Sequence, residues 1–172
     1  MFRNIKADFK RELCGAASNN KLFRVMECLG NQGFQAVLCY RLCRWLMLKH
    51  IPLLGIVMQR FIEITTGISI SPRADIGKGL LIYHFGGIVV HESAKIGENC
   101  TLHHGVTIGN KEPGGKAPVI GFNVCIGAGA KVLGNITIGD NCKIGANAVV
   151  VSSIPSNCTA VGIPASIKNA KI

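Results

Sequence analysis

The spacing of aliphatic residues divides the chain into two parts. Before about residue 66, apolar positions recur every three or four residues, as in FQAVLCYRLCRWLML, and only one proline interrupts them. This spacing predicts a helical region over residues 1–66. After residue 66 the period becomes six residues, and self-similarity of this kind indicates a repeat architecture.

Each six-residue repeat carries one aliphatic residue, and glycine directly follows many of these residues. The series slips by two residues after Ile88 and has a gap of twelve between Ile108 and Ile120. The positions are Ile70, Ile76, Ile82, Ile88, Ile96, Leu102, Ile108, Ile120, Ile126, Val132, Ile138, Ile144 and Val150. One hexad forms a short strand and a turn, and three hexads close a triangular coil around the aliphatic side chains. We therefore predict a mainly β fold, a parallel β-solenoid with a short N-terminal α-helical cap.

The repeat phase places two of the five histidines at one corner of this prism. His84 and His104 each follow an inward aliphatic residue by two positions, in neighbouring coils. We expect them about 5 Å apart along the axis, the spacing between adjacent strands. His103 should point outward and His91 lies in the two-residue slip, so we interpret both as surface residues.

Positive charge is concentrated in the helical region. The net charge is +10, and residues 1–60 hold ten Lys or Arg against three acids. Such a segment suits an anionic partner, but no nucleic-acid-binding motif appears and the charge is not interleaved with aromatic residues. The uncharged run 51–59 is far shorter than the ~20 residues of a membrane-spanning helix. It predicts a core helix, with a peripheral membrane contact as the alternative.

The eight cysteines include no C-x-x-C pair, and the N-terminal stretch MFRNIKADFKREL is polar, unlike a secretory leader. We therefore expect reduced thiols in a cytoplasmic protein. Cys39 and Cys43 are one helical turn apart, a spacing that could bind a metal, although packing is the simpler interpretation.

Four stretches carry a family resemblance: GFQAVLCYRLCRWL (33–46), GISISPRADIGKGLLIYHFGGIVVHESAKIGENC (67–100), GVTIGN (105–110) and IGAGAKVLGNITIGDNCKIGANAVVVSSIP (126–155). They resemble the hexapeptide-repeat acyltransferases, and within them the serine acetyltransferase-like branch. The resemblance implies a left-handed parallel β-helix over residues 67–166 and a short tail over 167–172. It also implies a homotrimer that binds acetyl-CoA between neighbouring prisms without a metal, with pairing of trimers through the helices as an option.

The resemblance assigns the catalytic base to His84, whose neutral imidazole can take the proton of an attacking hydroxyl during direct acetyl transfer. Glu92 and His104 are candidates to assist it. Residues 109–119 match a protruding loop that closes over the site. The family's contacts with coenzyme A carry over to Gly109, Asn110, Gly127, Ala128, Lys143 and Ala146.

Four positions depart from the serine acetyltransferase pattern. Ser69 stands where that pattern has the aspartate that pairs with the base, Tyr83 replaces an aspartate before the base, and Lys116 and Ala117 replace an Arg-His pair. We keep Ser69, Tyr83 and Lys116 as candidate substrate contacts. The departures favour acetylation of a sugar hydroxyl in exopolysaccharide or capsule biosynthesis, on a lipid-linked glycan at the inner membrane face. Serine O-acetylation is the alternative.

Two remoter alternatives stay open. A γ-carbonic-anhydrase-like zinc enzyme uses a similar prism, but its H-x4-H spacing is absent, since the four clustered histidines are separated by seven, twelve and one. A non-catalytic scaffold could dock a partner through a C-terminal isoleucine. This chain ends in Ile172, but the stretch before it is short and basic, so we interpret the match as coincidence.

Overall fold

The computed structural model describes residues 1–15 and 19–169, which form a helical cap followed by five coils of parallel β-helix. Within those residues, the helices are α1 (Phe2–Gly15), α2 (Lys21–Gly30), α3 (Gln32–Leu48) and α4 (Pro52–Thr66). The side chain of Asn31 caps α3 by accepting hydrogen bonds from the backbone N–H groups of Gly33 and Phe34. Gly67 ends α4 in a left-handed conformation with φ of 65°.

The strands form three faces of a triangular prism. Face 1 contains β1 (Ile68–Ile70), β4 (Ile88–Val90), β7 (Thr107–Gly109), β10 (Lys131–Leu133) and β13 (Val149–Val150). Face 2 contains β2 (Asp75–Ile76), β5 (Lys95–Ile96), β8 (Val119–Ile120) and β11 (Thr137–Ile138). Face 3 contains β3 (Leu81–Tyr83), β6 (Thr101–His103), β9 (Cys125–Ile126), β12 (Lys143–Ile144), β14 (Cys158–Val161) and β15 (Ser166–Asn169). The predicted fold class is confirmed.

The two-residue slip in the repeat lies at the corner between β3 and β4. Tyr83 pairs with His103, and Val89 pairs with Thr107. Five residues therefore separate the first members of these pairs, whereas three separate the second members. The two additional residues protrude from the corner, and the side chain of Phe85 is 62% exposed.

The prediction that the slip follows Ile88 is therefore wrong. Val90, rather than Ile88, is aligned with Ile108 in the next coil and with Ile70 in the previous one. Ile88 is also fully buried, because it occupies a second inward column two positions before the main one. Ile88 follows Ile82 by six residues, although Ile82 belongs to the main column and Ile88 to the second. This spacing imitates the regular repeat and conceals the true position of the slip.

The prism interior is filled by these two columns of side chains. The main column is aliphatic, and each buried side chain of this kind stabilises the fold by about 1.5–3 kcal/mol. The second column is often smaller, and Cys100, Ala130, Cys142 and Ala148 are all completely buried in it. Two cysteines therefore have an ordinary packing role.

An asparagine ladder runs along the corner between faces 2 and 3. Asn99, Asn123, Asn141 and Asn157 all have left-handed backbones with φ of 55–60°. The amide of Asn123 donates to Asn141 at 2.9 Å, and that of Asn141 donates to Asn157 at 3.0 Å. Asparagine tolerates this backbone conformation better than most residues, which suits it to this corner position in successive coils.

A buried ion pair fastens the helical cap to the first coil. Arg41 of α3 donates to the carboxylate of Asp8 of α1 at 2.9 Å, and their side chains are 3% and 1% exposed. Arg41 also donates to the backbone carbonyls of Ile76 and Gly77, each at 2.6 Å. Asp8 accepts from the backbone N–H of Gly79 at 2.6 Å. Each charge is therefore paired and hydrogen-bonded, which burial requires.

The last coil ends in a reversal of the chain. The strand β15 pairs antiparallel with β14, whereas the other strand pairs are parallel. The first part of the predicted tail, residues 167–169, thus belongs to a strand. Ile172 lies outside the described residues. None of the helices in the described parts of the chain is long and apolar enough to cross a membrane.

Candidate active site

The corner between faces 3 and 1 brings His84 and His104 together. Their ring centroids lie 5.6 Å apart with an interplanar angle of 74°, and both side chains are exposed. His84 belongs to the two-residue protrusion and has a left-handed backbone with φ of 64°. This conformation is uncommon for a residue with a side chain, and Gly86 and Gly87 complete the turn with φ of 93° and 67°. The protrusion therefore presents the imidazole beyond the regular surface of the prism.

A stacked histidine–tyrosine pair flanks this corner on face 3. His103 stacks on Tyr83, with ring centroids 5.3 Å apart and an interplanar angle of 27°. Partial burial lowers the pKa of His103, and the neighbouring His84 and His104 lower it further. His103 is therefore neutral at pH 7, so it adds no positive charge beside His84.

A strip of small residues continues the same corner in the next coils. The carbonyl of His104 accepts from Gly129 N, and that of Ala128 accepts from Asn147 N, so the chain stacks directly from coil to coil. Gly127 has no room for a side chain, because a Cβ there would lie 2.7 Å from the backbone nitrogen of Ala146. The predicted coenzyme contacts Gly127, Ala128 and Ala146 thus form a low surface beside His104.

Other predicted coenzyme contacts lie elsewhere. The side chain of Lys143 is exposed on β12, on face 3. Gly109 and Asn110 lie at the far edge of face 1, where β7 ends, with the width of that face between them and His104. Asn110 donates to the carbonyl of Glu112 at 2.8 Å and so shapes the start of the protruding loop.

The loop returns to the prism at Ala117, which is 3% exposed and whose N–H donates to the hydroxyl of Ser93 at 3.1 Å. Lys116, one residue earlier, is exposed. Within one chain, Ala117 is therefore an anchor of the loop, and Lys116 lies at the opposite edge of face 1 from the histidine corner.

Glu92 also lies at the far edge of face 1, directly after β4. Its carboxylate forms a 3.0 Å ion pair with Arg73. Within a single chain the structure therefore does not bring Glu92 to the corner of His84.

The side chain of Ser69 points outward from face 1 and is hydrogen-bonded to a carboxylate. Its hydroxyl donates to Oε1 of Glu63 at 2.7 Å, and the side chain of Glu63 is 15% exposed. Glu63 also accepts from Gln59 and Arg60, both at 2.9 Å. Sequence reasoning missed Glu63, because nothing in the repeat pattern indicates that the end of α4 returns to the first strand.

A cavity of about 280 Å³ adjoins Tyr83 and contains acidic groups that sequence reasoning also missed. It lies between the first coil and the helices α1 and α2, and it is lined by Glu12, Gly15, Glu27, Cys28, Asn31, Leu81 and Tyr83. Burial raises the pKa of the Glu12 carboxyl. Among the described residues, Glu12 and Glu27 have no ion-pair or hydrogen-bond partner. Two unpaired carboxylates in a basic protein thus face one cavity beside the histidine corner.

We searched the described residues for a cluster of side chains that could bind a metal ion. In residues 1–15 and 19–169, no group of three or more His, Cys, Asp or Glu side chains is placed to hold a metal ion.

Comparison with known proteins identifies the family. The model of the bacterial transferase hexapeptide (six repeats) matches residues 117–152. The serine acetyltransferase of Helicobacter pylori strain 26695 is 46% identical over 132 residues, which cover 76% of this chain and 77% of that protein. The chain belongs to the serine acetyltransferase family. The serine acetyltransferase of Synechococcus elongatus is 42% identical over 168 residues, or 95% of this chain and 67% of that protein.

Solved structures of this family agree with the fold. Neisseria gonorrhoeae serine acetyltransferase in complex with serine superposes with a TM-score of 0.87 at 38% identity, over 96% of this chain and 68% of that one. Brucella abortus serine acetyltransferase in complex with coenzyme A gives 0.87 at 33% identity, over 98% and 67%.

These relatives overturn the predicted sugar acceptor. The prediction of a polysaccharide O-acetyltransferase is wrong, because relatives with 42–46% identity are serine acetyltransferases. The physical reason lies in two departures that carried the prediction. Ser69 lacks a carboxylate but is hydrogen-bonded to Glu63, and Tyr83 borders the cavity with Glu12 and Glu27. Carboxylates from the helices thus lie next to both of these strand positions.

Proposed function

We propose that the protein is a serine O-acetyltransferase, which transfers the acetyl group of acetyl-CoA to the hydroxyl of L-serine. The predictions of an O-acetyltransferase and of acetyl-CoA as its co-substrate are confirmed by the family. The observation that carries the proposal is the exposed imidazole of His84, held on a protruding corner beside a strip of small residues in a chain of this family.

His84 acts as the general base in this proposal. Its neutral imidazole takes the hydroxyl proton of serine while the oxygen attacks the thioester carbonyl carbon. The tetrahedral intermediate then expels the thiolate of coenzyme A, which receives the proton from the imidazolium. His104, with its ring centroid 5.6 Å from that of His84, supplies a second polar group for the hydroxyl or the carbonyl. Direct transfer requires both substrates to be positioned together, and the adjacency of the corner and the strip supports this assignment.

The division of the predicted residues between two edges of face 1 supports a homotrimer. Glu92, Gly109, Asn110 and Lys116 lie across that face from His84 in one chain. If the far edge of one prism meets the histidine corner of its neighbour, both groups complete one site at each interface. Such an arrangement also brings the loop of one chain over the site of the next.

The cavity beside Tyr83 supports an amino-acid acceptor. An ammonium group requires negative charge, and Glu12 and Glu27 provide two carboxylates without a protein partner. We therefore place the ammonium end of serine on the side of this cavity and its hydroxyl toward His84. Tyr83 would form the boundary between the two.

The helix α4 exposes an apolar face that could contact a membrane or a second trimer. Leu53, Val57, Phe61 and Ile64 are 60–83% exposed, with Arg60 among them. A peripheral membrane contact and pairing of trimers each remain a prediction for this face, and a cytoplasmic location remains the expectation.

The test is release of coenzyme A from acetyl-CoA, followed with a thiol reagent. L-serine should stimulate release, and L-alanine, which lacks the hydroxyl, should not. His84→Ala should abolish the stimulation. His50→Ala is a matched control, because His50 is exposed, has a similar φ of 60° and lies in the helical cap. Release that L-serine fails to stimulate in the unmodified protein would refute the proposal.

A further inference from the structure

Two thiols are in direct contact between α3 and α4, away from the site described above. The Sγ atoms of Cys39 and Cys43 lie 3.7 Å apart, and the residues are 9% and 2% exposed. Cys39 also approaches the carbonyl of Met58 at 3.5 Å, and Cys43 approaches that of Gly55 at 3.3 Å. The pair therefore faces the seam between the two helices.

The two buried cysteines inside the prism differ from this pair. Cys100 donates to the carbonyl of Gly121 at 3.1 Å, and Cys142 donates to that of Pro155 at 3.0 Å, each as a single thiol inside the prism. In the described residues, only Cys39 and Cys43 have a thiol-to-thiol contact.

The two thiols have unequal acidity. The hydrogen bond to Cys43 raises the pKa of Cys39, and burial and the negative charge of Glu63 raise it further. The same hydrogen bond lowers the pKa of Cys43 against the effect of burial. Thiolates are the form of cysteine that binds metals, and soft sulfur ligands select soft ions.

Each thiol also borders a cavity that opens to solvent. Cys39 and Met58 line an apolar groove of about 400 Å³ between the helices. Cys43 and Met47 line a second cavity of about 240 Å³, against the first coil. Each cavity is thus lined by one thiol of the pair and by one methionine, which carries a further soft sulfur donor.

We propose that Cys39 and Cys43 form a binding site for a thiophilic monovalent metal ion of the Cu(I) class. Binding with loss of one thiol proton leaves the site without net charge, which suits its apolar surroundings and the nearby Glu63. A hard divalent ion prefers about six or more oxygen ligands, a number that the two carbonyls near the thiols do not supply. The site is separate from the active site and does not depend on the proposed reaction.

The test is an anaerobic titration of the reduced full chain with Cu(I), in competition with the chromophoric ligand bicinchoninate. The unmodified protein should retain one more equivalent of Cu(I) than the Cys39→Ser/Cys43→Ser variant. A Cys125→Ser/Cys158→Ser variant, which removes two half-buried thiols on face 3, should retain that equivalent. Equal retention by the unmodified protein and the first variant would overturn the proposal.

A second measurement avoids any effect of the substitutions on folding. Crystals of the unmodified protein loaded with one equivalent of Cu(I) should show an anomalous peak at the copper edge between the sulfurs of Cys39 and Cys43. A peak at Cys14, at Cys125 or at the histidine corner instead would show binding to accessible side chains only and would overturn the assignment.

Discussion

The imidazole ring of His104 meets that of His84 edge to face, although their residues are not equivalent in the repeat. His104 continues the regular corner, because its carbonyl accepts from the next coil as that of Gly86 does. His84 instead belongs to the two-residue insertion before Gly86. A regular coil places one residue at this position of the corner. The insertion adds the imidazole of His84 beside that of His104.

This relationship predicts unequal roles for the two histidines. His84→Ala should lower kcat by roughly 10²–10⁴-fold, the usual contribution of a general base. His104→Gln, which retains a hydrogen-bonding group, should lower kcat less and keep the pH profile. Steady-state rates of coenzyme A release across pH will check both. Equal losses in the two variants would contradict the assignment of the base.

The acidic cavity predicts an effect on serine binding. Glu12→Gln or Glu27→Gln should raise KM for L-serine by about 10-fold or more, since hydrogen bonds to charged groups contribute roughly 1.5–3 kcal/mol. KM for acetyl-CoA should stay unchanged. Glu98→Gln is the control, because Glu98 pairs with Lys78 at another corner. An unchanged KM for L-serine in a protein that acetylates it would remove the carboxylates from substrate recognition without affecting the proposed function.

The buried ion pair predicts a large loss of stability. Asp8→Ala leaves the charge of Arg41 buried without its partner, so the free energy of unfolding should fall by about 3–5 kcal/mol. Asp75→Ala removes the partner of Arg44 from an exposed pair, and its cost should stay below about 1 kcal/mol. Urea denaturation measures both values. Similar losses in the two variants would show that the buried pair is not what fastens the cap.

The lowered pKa of His103 predicts a pH dependence of stability. The unfolded histidine binds a proton near pH 6.5, but the folded one does so only at lower pH. The contribution is therefore fully present above the unfolded pKa and is lost as pH falls through the folded pKa. NMR titration should place the His103 midpoint below that of an unfolded peptide. His103→Gln should reduce the loss of stability on acidification.

The asparagine ladder predicts a difference between two substitutions at one position. Asn141→Ala removes the ladder hydrogen bonds and forces a residue with a Cβ into a left-handed backbone, whereas Asn141→Gly relieves the backbone. The alanine variant should be less stable than the glycine variant by about 1 kcal/mol. Thermal unfolding of both separates the backbone contribution from the hydrogen bonds.

The sequence predicts the prism well because each coil repeats the same local rule. The six-residue period, the buried small residues such as Cys100 and the proximity of His84 to His104 all follow from it. The same rule conceals the insertion, because an isoleucine at position 88 is compatible with either of the two inward columns. Only the strand register, which aligns Val90 with Ile108, separates the two readings.

The acceptor side was predicted poorly because its determinants are not local. Substitution of single strand positions, such as Tyr83 for an aspartate, is visible in the sequence. The carboxylates of Glu12 and Glu27 reach the same region from α1 and α2 through tertiary packing that no period encodes. Glu63 reaches Ser69 in the same way, across the end of α4.

The reversal at the last coil also determines how molecules can associate. A parallel β-helix ends in a row of unpaired backbone groups that could template another chain and extend into a fibre. Here β15 occupies that row on face 3, running against the direction of the coils, and it carries the exposed charge of Lys168. The parallel ladder of the coils therefore cannot be continued directly by a second chain on face 3, because β15 already occupies the edge of β14 there.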